Sequence, residues 1–153
     1  MASERDPLVV FAYDGSEGAR DAVRRAAATV SQLTALVVYI YPHAEEIAAG
    51  LDVPVTMPAD AVQTLRRRAD EIANKGAELA RTSGLVAEGV AVEAKGGVAD
   101  ALLDLARERD AAAIVVGSRG HGRARSALLG SVSSKLIHDA DRPIVVVPHS
   151  RPA

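Results

Sequence analysis

Hydrophobic and polar positions along the chain alternate between two rhythms. Leu8-Val9-Val10-Phe11-Ala12-Tyr13 is an unbroken apolar run stopped by Asp14-Gly15-Ser16, the pattern of a strand covered on both faces. Behind it Ala19, Ala22, Val23, Ala26, Ala27 and Val30 recur at helical spacing, with Arg20, Asp21, Arg24 and Arg25 on the other side. The same unit then repeats. Residues 35–42 read as a second buried strand, ended by Pro42, which has no N–H to give to a ladder. Residues 42–58, with Pro42, Gly50, Pro54 and Pro58, keep no period and read as a long connection. Val62, Leu65, Ala69, Ile72, Ala73, Gly76, Leu79 and Ala80 then mark one face of a helix, and 86–93 a third strand. Gly96-Gly97 precede a helix bearing Val98, Leu102, Leu105 and Ala106. A strand at 112–116, a helix at 132–140 and a strand at 143–147 complete the chain. Strictly alternating strands and helices predict an α/β fold: an open parallel sheet with helices on both faces and right-handed crossovers.

One stretch breaks the rhythm in a chemically informative way. Ile114-Val115-Val116 runs straight into Gly117-Ser118-Arg119-Gly120-His121-Gly122, and Gly130-Ser131-Val132 opens the next helix. Glycines let backbone approach a ligand without Cβ atoms in the way, and a helix start offers N–H groups with no intrahelical partner. Between Gly117 and His138 there is no acidic residue, while Arg119, Arg123, Arg125 and Lys135 are present. The order of strand, glycines, cations and small-residue helix start predicts a phosphate cradle. Asp14, at the tip of the first strand, has two readings: a turn or N-cap residue, or a carboxylate placed for ribose hydroxyls.

Charge and composition narrow the remaining classes. The 153 residues carry a formal net charge of −2 and only three Tyr, one Phe and no Trp. A nucleic-acid partner is therefore not expected, since neither a basic field nor stacking aromatics are in place. With no cysteine there are no disulfides and no zinc–thiolate site. No apolar run has the length of a membrane span, and the charged start Met1 to Pro7 lacks a signal-peptide core. A single domain over 1–153, soluble and cytoplasmic, without membrane association, is the expectation.

The glycine spacing Gly117-x2-Gly120-x9-Gly130-Ser131 resembles the signature of the ATP-binding branch of the universal stress protein family. Ala12-Tyr13-Asp14-Gly15-Ser16, Ala106-Arg107-Glu108 and Arg142-Pro143-Ile144-Val145-Val146-Val147-Pro148 are similar to other landmarks of that family. The resemblance implies a Rossmann-like sheet of strand order 3-2-1-4-5, which sets the first and fourth strands side by side. It also implies a nucleoside contact at Asp14 and an adenine contact near the end of the second strand, where Ile40 is the best match. Ile40 is equally explained as core. Tyr13, Tyr39 and Asp110 depart from commoner family residues.

On this basis Gly117, Gly120 and Gly130 are assigned to backbone approach, Ser131 to a terminal phosphate, and Val116 and Val132 to flanking main-chain contacts. Arg119 and Arg123 supply auxiliary charge. ATP is the expected ligand, with Mg2+ riding on its phosphates rather than held in a protein cage. The expected role is a nucleotide-dependent regulator of stress response acting on an unknown protein partner. A homodimer paired through the 143–148 edge strand is implied by the resemblance. Two alternatives stand beside it: a slow Mg-dependent ATPase, and a nucleotide-free dimeric interaction module. No catalytic residue is assigned, because neither His121 nor His43 sits in a recognisable catalytic arrangement.

Overall fold

The structure is a computed structural model that describes residues 5–50, 56–120 and 129–149. Five strands form one sheet: β1 (Leu8–Ala12), β2 (Thr34–Pro42), β3 (Val86–Ala94), β4 (Ala113–Gly117) and β5 (Ile144–Val147). Their order is β3-β2-β1-β4-β5 and every pairing is parallel, as the alternation and the family resemblance together led one to expect. Val10 lies opposite Leu36 on one side and Ile114 on the other, which fixes the register of the three central strands.

Side chains alternate between the sheet faces, and so do the two cores. Val9, Phe11, Val37 and Val115 pack with Ala19, Ala22 and Val23 of α1 (Glu17–Thr29) and with Ala77 and Ala80 of α3 (Ala59–Thr82). Val10, Leu36, Val38, Ile114 and Val116 face the other way. They meet Leu102, Leu103 and Ala106 of α4 (Val98–Glu108) and Leu136 of α5 (Ser131–Asp139). The chain therefore leaves β1 toward one face, into α1, and leaves β4 toward the other, into α5. Adjacent parallel strands whose connections diverge in this way open a crevice at their C-terminal ends.

Three sequence expectations need correction. Within the 42–58 connection, α2 (Ala44–Ala49) forms a short helix; 51–55 lie outside the described residues. Six residues are too few to show a period, and its start is fixed locally, the His43 carbonyl accepting from Glu46 N–H and Ile47 N–H. Val30, assigned to the buried face of α1, is instead its C-cap and 46% exposed. Val62 is likewise exposed near the start of α3, a helix longer at both ends than the apolar spacing indicated.

Two close approaches set how tightly α3 seats on the sheet. A Cβ at Gly76 would lie 2.7 Å from both Tyr13 and Val37 side-chain atoms, and one at Gly89 would lie 2.7 Å from the Ala73 carbonyl oxygen. Both are glycine because helix and strand touch there, a geometry no other residue fits without displacement.

Candidate functional site

At the C-terminal ends of β1, β2 and β4 lies a cavity of about 440 Å3. Its wall includes Asp14 from the β1–α1 turn, Ile40 from β2, and Val116, Gly117, Arg119 and Gly120 from β4 and its exit. Gly130, Ser131 and Val132 from the start of α5 close another side. Residues more than a hundred positions apart thus face one space. Arg123, expected to add charge here, lies outside the described residues, as do His121 and Arg125.

Asp14 satisfies the turn reading directly: its Oδ1 accepts from Ser16 N–H at 2.9 Å. Ser16 in turn caps α1, its hydroxyl accepting from Ala19 N–H at 3.2 Å. The carboxylate is held in place by this turn while still lining the cavity, so the two readings of Asp14 do not compete. Its other oxygen, Oδ2, lies only 2.8 Å from where a Cβ at Gly120 would be. Gly120 is thus a glycine because Asp14 is packed on it.

The glycines of the β4 exit serve the protein's own backbone more than the sequence indicated. A Cβ at Gly117 would stand 3.0 Å from the Gly18 carbonyl oxygen, and one at Gly18 would stand 2.5 Å from the Arg119 carbonyl oxygen. The first turn of α1 and the end of β4 therefore touch main chain to main chain. Gly130 differs: a Cβ there would make an ordinary 3.4 Å contact with the Ser118 carbonyl.

That carbonyl is the hub of the β4 exit. It accepts from Gly130 N–H at 2.7 Å and lies 3.4 Å from the Ser133 hydroxyl, which also donates to the Gly130 carbonyl at 3.0 Å. Ser118 N–H donates to the Val147 carbonyl, and Ser118 Oγ accepts from His149 N–H. The start of α5 is thereby fastened to β4 and β5. Its N-cap is Gly130, which supplies no side-chain cap. Its first-turn N–H groups carry the positive end of the helix dipole toward the cavity rim, where Ser131 is exposed.

The opposite part of the wall is apolar. Val38 and Ile40 of β2 and Val98 and Leu102 of α4 all line the cavity. Leu102 is fully buried, whereas Val98 is 40% exposed. Ile40, at 9% exposure, packs in the core and also lines the cavity. Tyr13 and Tyr39 line the same space, which places two of the family departures at the site. Asp110, the third, sits at the far end of α4. Of the β3–α4 turn and the start of α4, Val98 lines the cavity and Gly96 and Gly97 do not.

The sequence reading overlooked Gly18, Ser133, Val98 and Leu102. Gly18 left a trace: glycine in the first turn of a helix is a poor helix former, and its presence signals close approach. Ser133 left none, since a serine near a helix start is ordinarily solvated. Val98 and Leu102 were read only as the helix face toward the sheet.

Among the described residues no group of three or more His, Cys, Asp or Glu is arranged to hold a metal, and no helix is long and apolar enough to cross a membrane. The universal stress protein family model matches residues 8–148. A universal stress protein of Thermus aquaticus is 33% identical over 141 residues, covering 91% of this chain and 96% of that one. A longer universal stress protein of Mycobacterium tuberculosis is 39% identical over 84 residues, 54% of this chain but 26% of its own length. The universal stress protein of Archaeoglobus fulgidus, in complex with dAMP, superimposes with a TM-score of 0.65 at 25% identity over 92% of this chain and 95% of that one. From the match over nearly its whole length, the chain belongs to the universal stress protein family.

Proposed function

We propose that the cavity binds an adenine nucleotide, ATP in the first instance, and that the chain is a nucleotide-dependent regulator. The observation that carries this reading is the meeting of an apolar wall, a carboxylate and an uncapped helix start around one space. Val38, Ile40, Val98 and Leu102 offer a surface for a base, Asp14 an acceptor for ribose hydroxyls, and Gly117 to Gly120 with Gly130 and Ser131 a backbone-lined end for phosphates. A volume of about 440 Å3 falls in the ordinary range of small-molecule sites, roughly 300–1,000 Å3. The dAMP complex of the Archaeoglobus fulgidus relative supports the choice of adenine.

Magnitudes require these parts to act together. Micromolar affinity corresponds to about 8 kcal/mol, and a helix N-terminus contributes about 2 at most. Several charge-assisted hydrogen bonds at about 1.5–3 kcal/mol each, together with burial of the base, make up the difference. Mg2+ would enter on the phosphates, where it neutralises their charge; among the described residues, Ser131 and Arg119 line that end.

Equilibrium dialysis at millimolar ATP with magnesium tests the reading. Retention by the wild-type chain, lost in folded Gly130→Val, is the expected result. A folded wild-type chain that retains no adenine nucleotide would overturn it.

The regulatory part involves association. Among the described residues β5 is an edge strand paired to β4 alone, and Val145 on it is 46% exposed. A homodimer closed through this edge would cover it, and a protein partner would then read the nucleotide state. Sedimentation should give a dimer at micromolar concentration, shifted toward monomer by Val145→Lys; monomer alone in the wild type would remove this element.

A further inference from the structure

We infer that Glu46, on α2, is a positioning residue for the apolar end of the cavity: by holding the β3–α4 turn it sets the place of Val98, which lines that end with Ile40. The statement rests on the nucleotide reading of that cavity and adds a residue outside its wall.

The turn from β3 to α4 is unusually undetermined by its own sequence. Only Lys95, Gly96 and Gly97 separate the end of β3 at Ala94 from Val98, the first residue of α4. Gly96 has φ +111°, a conformation that side chains disfavour, and a Cβ there would meet nothing within 4 Å. It is glycine for backbone freedom alone. Gly97 is the N-cap of α4 and provides no side-chain cap. A Cβ at Gly97 would lie 3.3 Å from Asp100 Oδ2, but Gly96 has no packing neighbour and Gly97 gives no side-chain cap, so the turn's own side chains do little to fix Val98.

What fixes the turn comes from α2. Glu46 Oε1 accepts from Gly96 N–H at 2.7 Å, a charge-assisted bond of the stronger kind. The base of α2 is itself pinned to β3. His43 N–H donates to the Ala94 carbonyl at 3.1 Å, and His43 Nδ1 lies 2.5 Å from Glu93 Oε1. His43 stands three residues beyond Ile40 on the same run of chain. The two apolar walls, Ile40 on β2 and Val98 on α4, are therefore joined outside the cavity by a clasp of His43, Glu93, Glu46 and Gly96. Val98 is 40% exposed at the cavity, so a displacement of the turn changes the apolar surface offered to a base rather than the core.

The test compares ATP binding by the wild-type chain, Glu46→Ala, Glu46→Gln, Val98→Ala and the double variant Glu46→Ala with Val98→Ala, alongside amide exchange at Gly96. Losing the acceptor should weaken ATP binding roughly three- to tenfold, while Glu46→Gln, which keeps a carbonyl oxygen, stays within about twofold of wild type. Gly96 should exchange faster in Glu46→Ala and not in Glu46→Gln. In the Val98→Ala background Glu46→Ala should weaken binding no further, because residues acting through one another are not additive. Glu46→Ala binding as tightly as wild type, or weakening the Val98→Ala variant by its full factor, would overturn the inference. A wild-type chain that retains no ATP would overturn the nucleotide reading first and this one with it.

Discussion

The two ends of the parallel sheet are built on opposite rules. At the end where strands begin, α3 and α4 stop in sealed turns. After α3, Gly84 takes φ +100° while Gly84 N–H and Leu85 N–H donate to the Arg81 and Ala80 carbonyls. After α4, Asp110 takes φ +50° while Asp110 N–H and Ala111 N–H donate to the Arg107 and Ala106 carbonyls. Both are Schellman stops, which satisfy the last carbonyls of a helix. Arg142 reinforces the second, donating to the Ala106 and Ala111 carbonyls at 2.8 and 2.7 Å. At the end where strands finish, helices α4 and α5 start on glycines with no side-chain cap, around a cavity. Satisfied helix ends hold the fold at one end; at the other, two helix starts without a side-chain cap from their N-cap glycines border a cavity.

The sharpest way to break this division is to close the gap between α1 and β4. Gly18→Ala forces a Cβ against the Arg119 carbonyl oxygen at 2.5 Å, backbone against backbone. A loss of about 3 kcal/mol is expected, at the upper end for overpacking, with ATP affinity falling as well; denaturant melts and dialysis measure both. Gly130→Ala, where the contact is ordinary, should cost no more than about 1 kcal/mol.

Next in size is Arg142→Ala at the sealed end. Its side chain is 14% exposed and bonds two carbonyls, so about 2 kcal/mol of stability should be lost. ATP affinity per folded molecule should not change. A large drop in affinity would show that the ends are not separate.

Asp110→Gly should act in the opposite direction. Relieving a left-handed conformation at a helix stop is worth up to about 1 kcal/mol, read as a higher melting temperature with binding unaltered. This also gives the family departure at Asp110 a physical meaning that has nothing to do with the site.

The smallest effect is a pH dependence. Hydrogen bonds from Arg142 and then Arg107 hold the Asp141 carboxyl well below the usual carboxylate range. A depressed folded pKa stabilises above the unfolded value, about 3.9, and that stabilisation is lost as pH falls through the folded value. The difference in melting temperature between wild type and Asp141→Asn should therefore shrink below about pH 4. The group is exposed, so the difference is small throughout.

Much of the architecture was legible because buried parallel strands are continuous apolar runs and α1, α3 and α4 repeat at helical spacing. Asp14, Ile40, Gly117, Gly120, Gly130 and Ser131 were all singled out from sequence, and all line one cavity. What stayed hidden were relations across space. Nothing in the local sequence says that Gly18 touches Arg119, that Gly120 makes room for Asp14, or that Glu46 reaches the Gly96 amide. The six-residue α2 was hidden for a simpler reason, being shorter than two full turns.

The contrast between the ends is also what a ligand should reveal most directly. Titrating the labelled protein with ATP and magnesium, while following backbone amide chemical shifts, reports both ends in one experiment. Shifts at Asp14, Gly117, Gly120, Gly130 and Ser131, with Ala106, Asp110 and Arg142 unmoved, are expected. No shift at saturating nucleotide, or shifts confined to the end where the strands begin, would contradict a nucleotide site at the tips of β1 and β4.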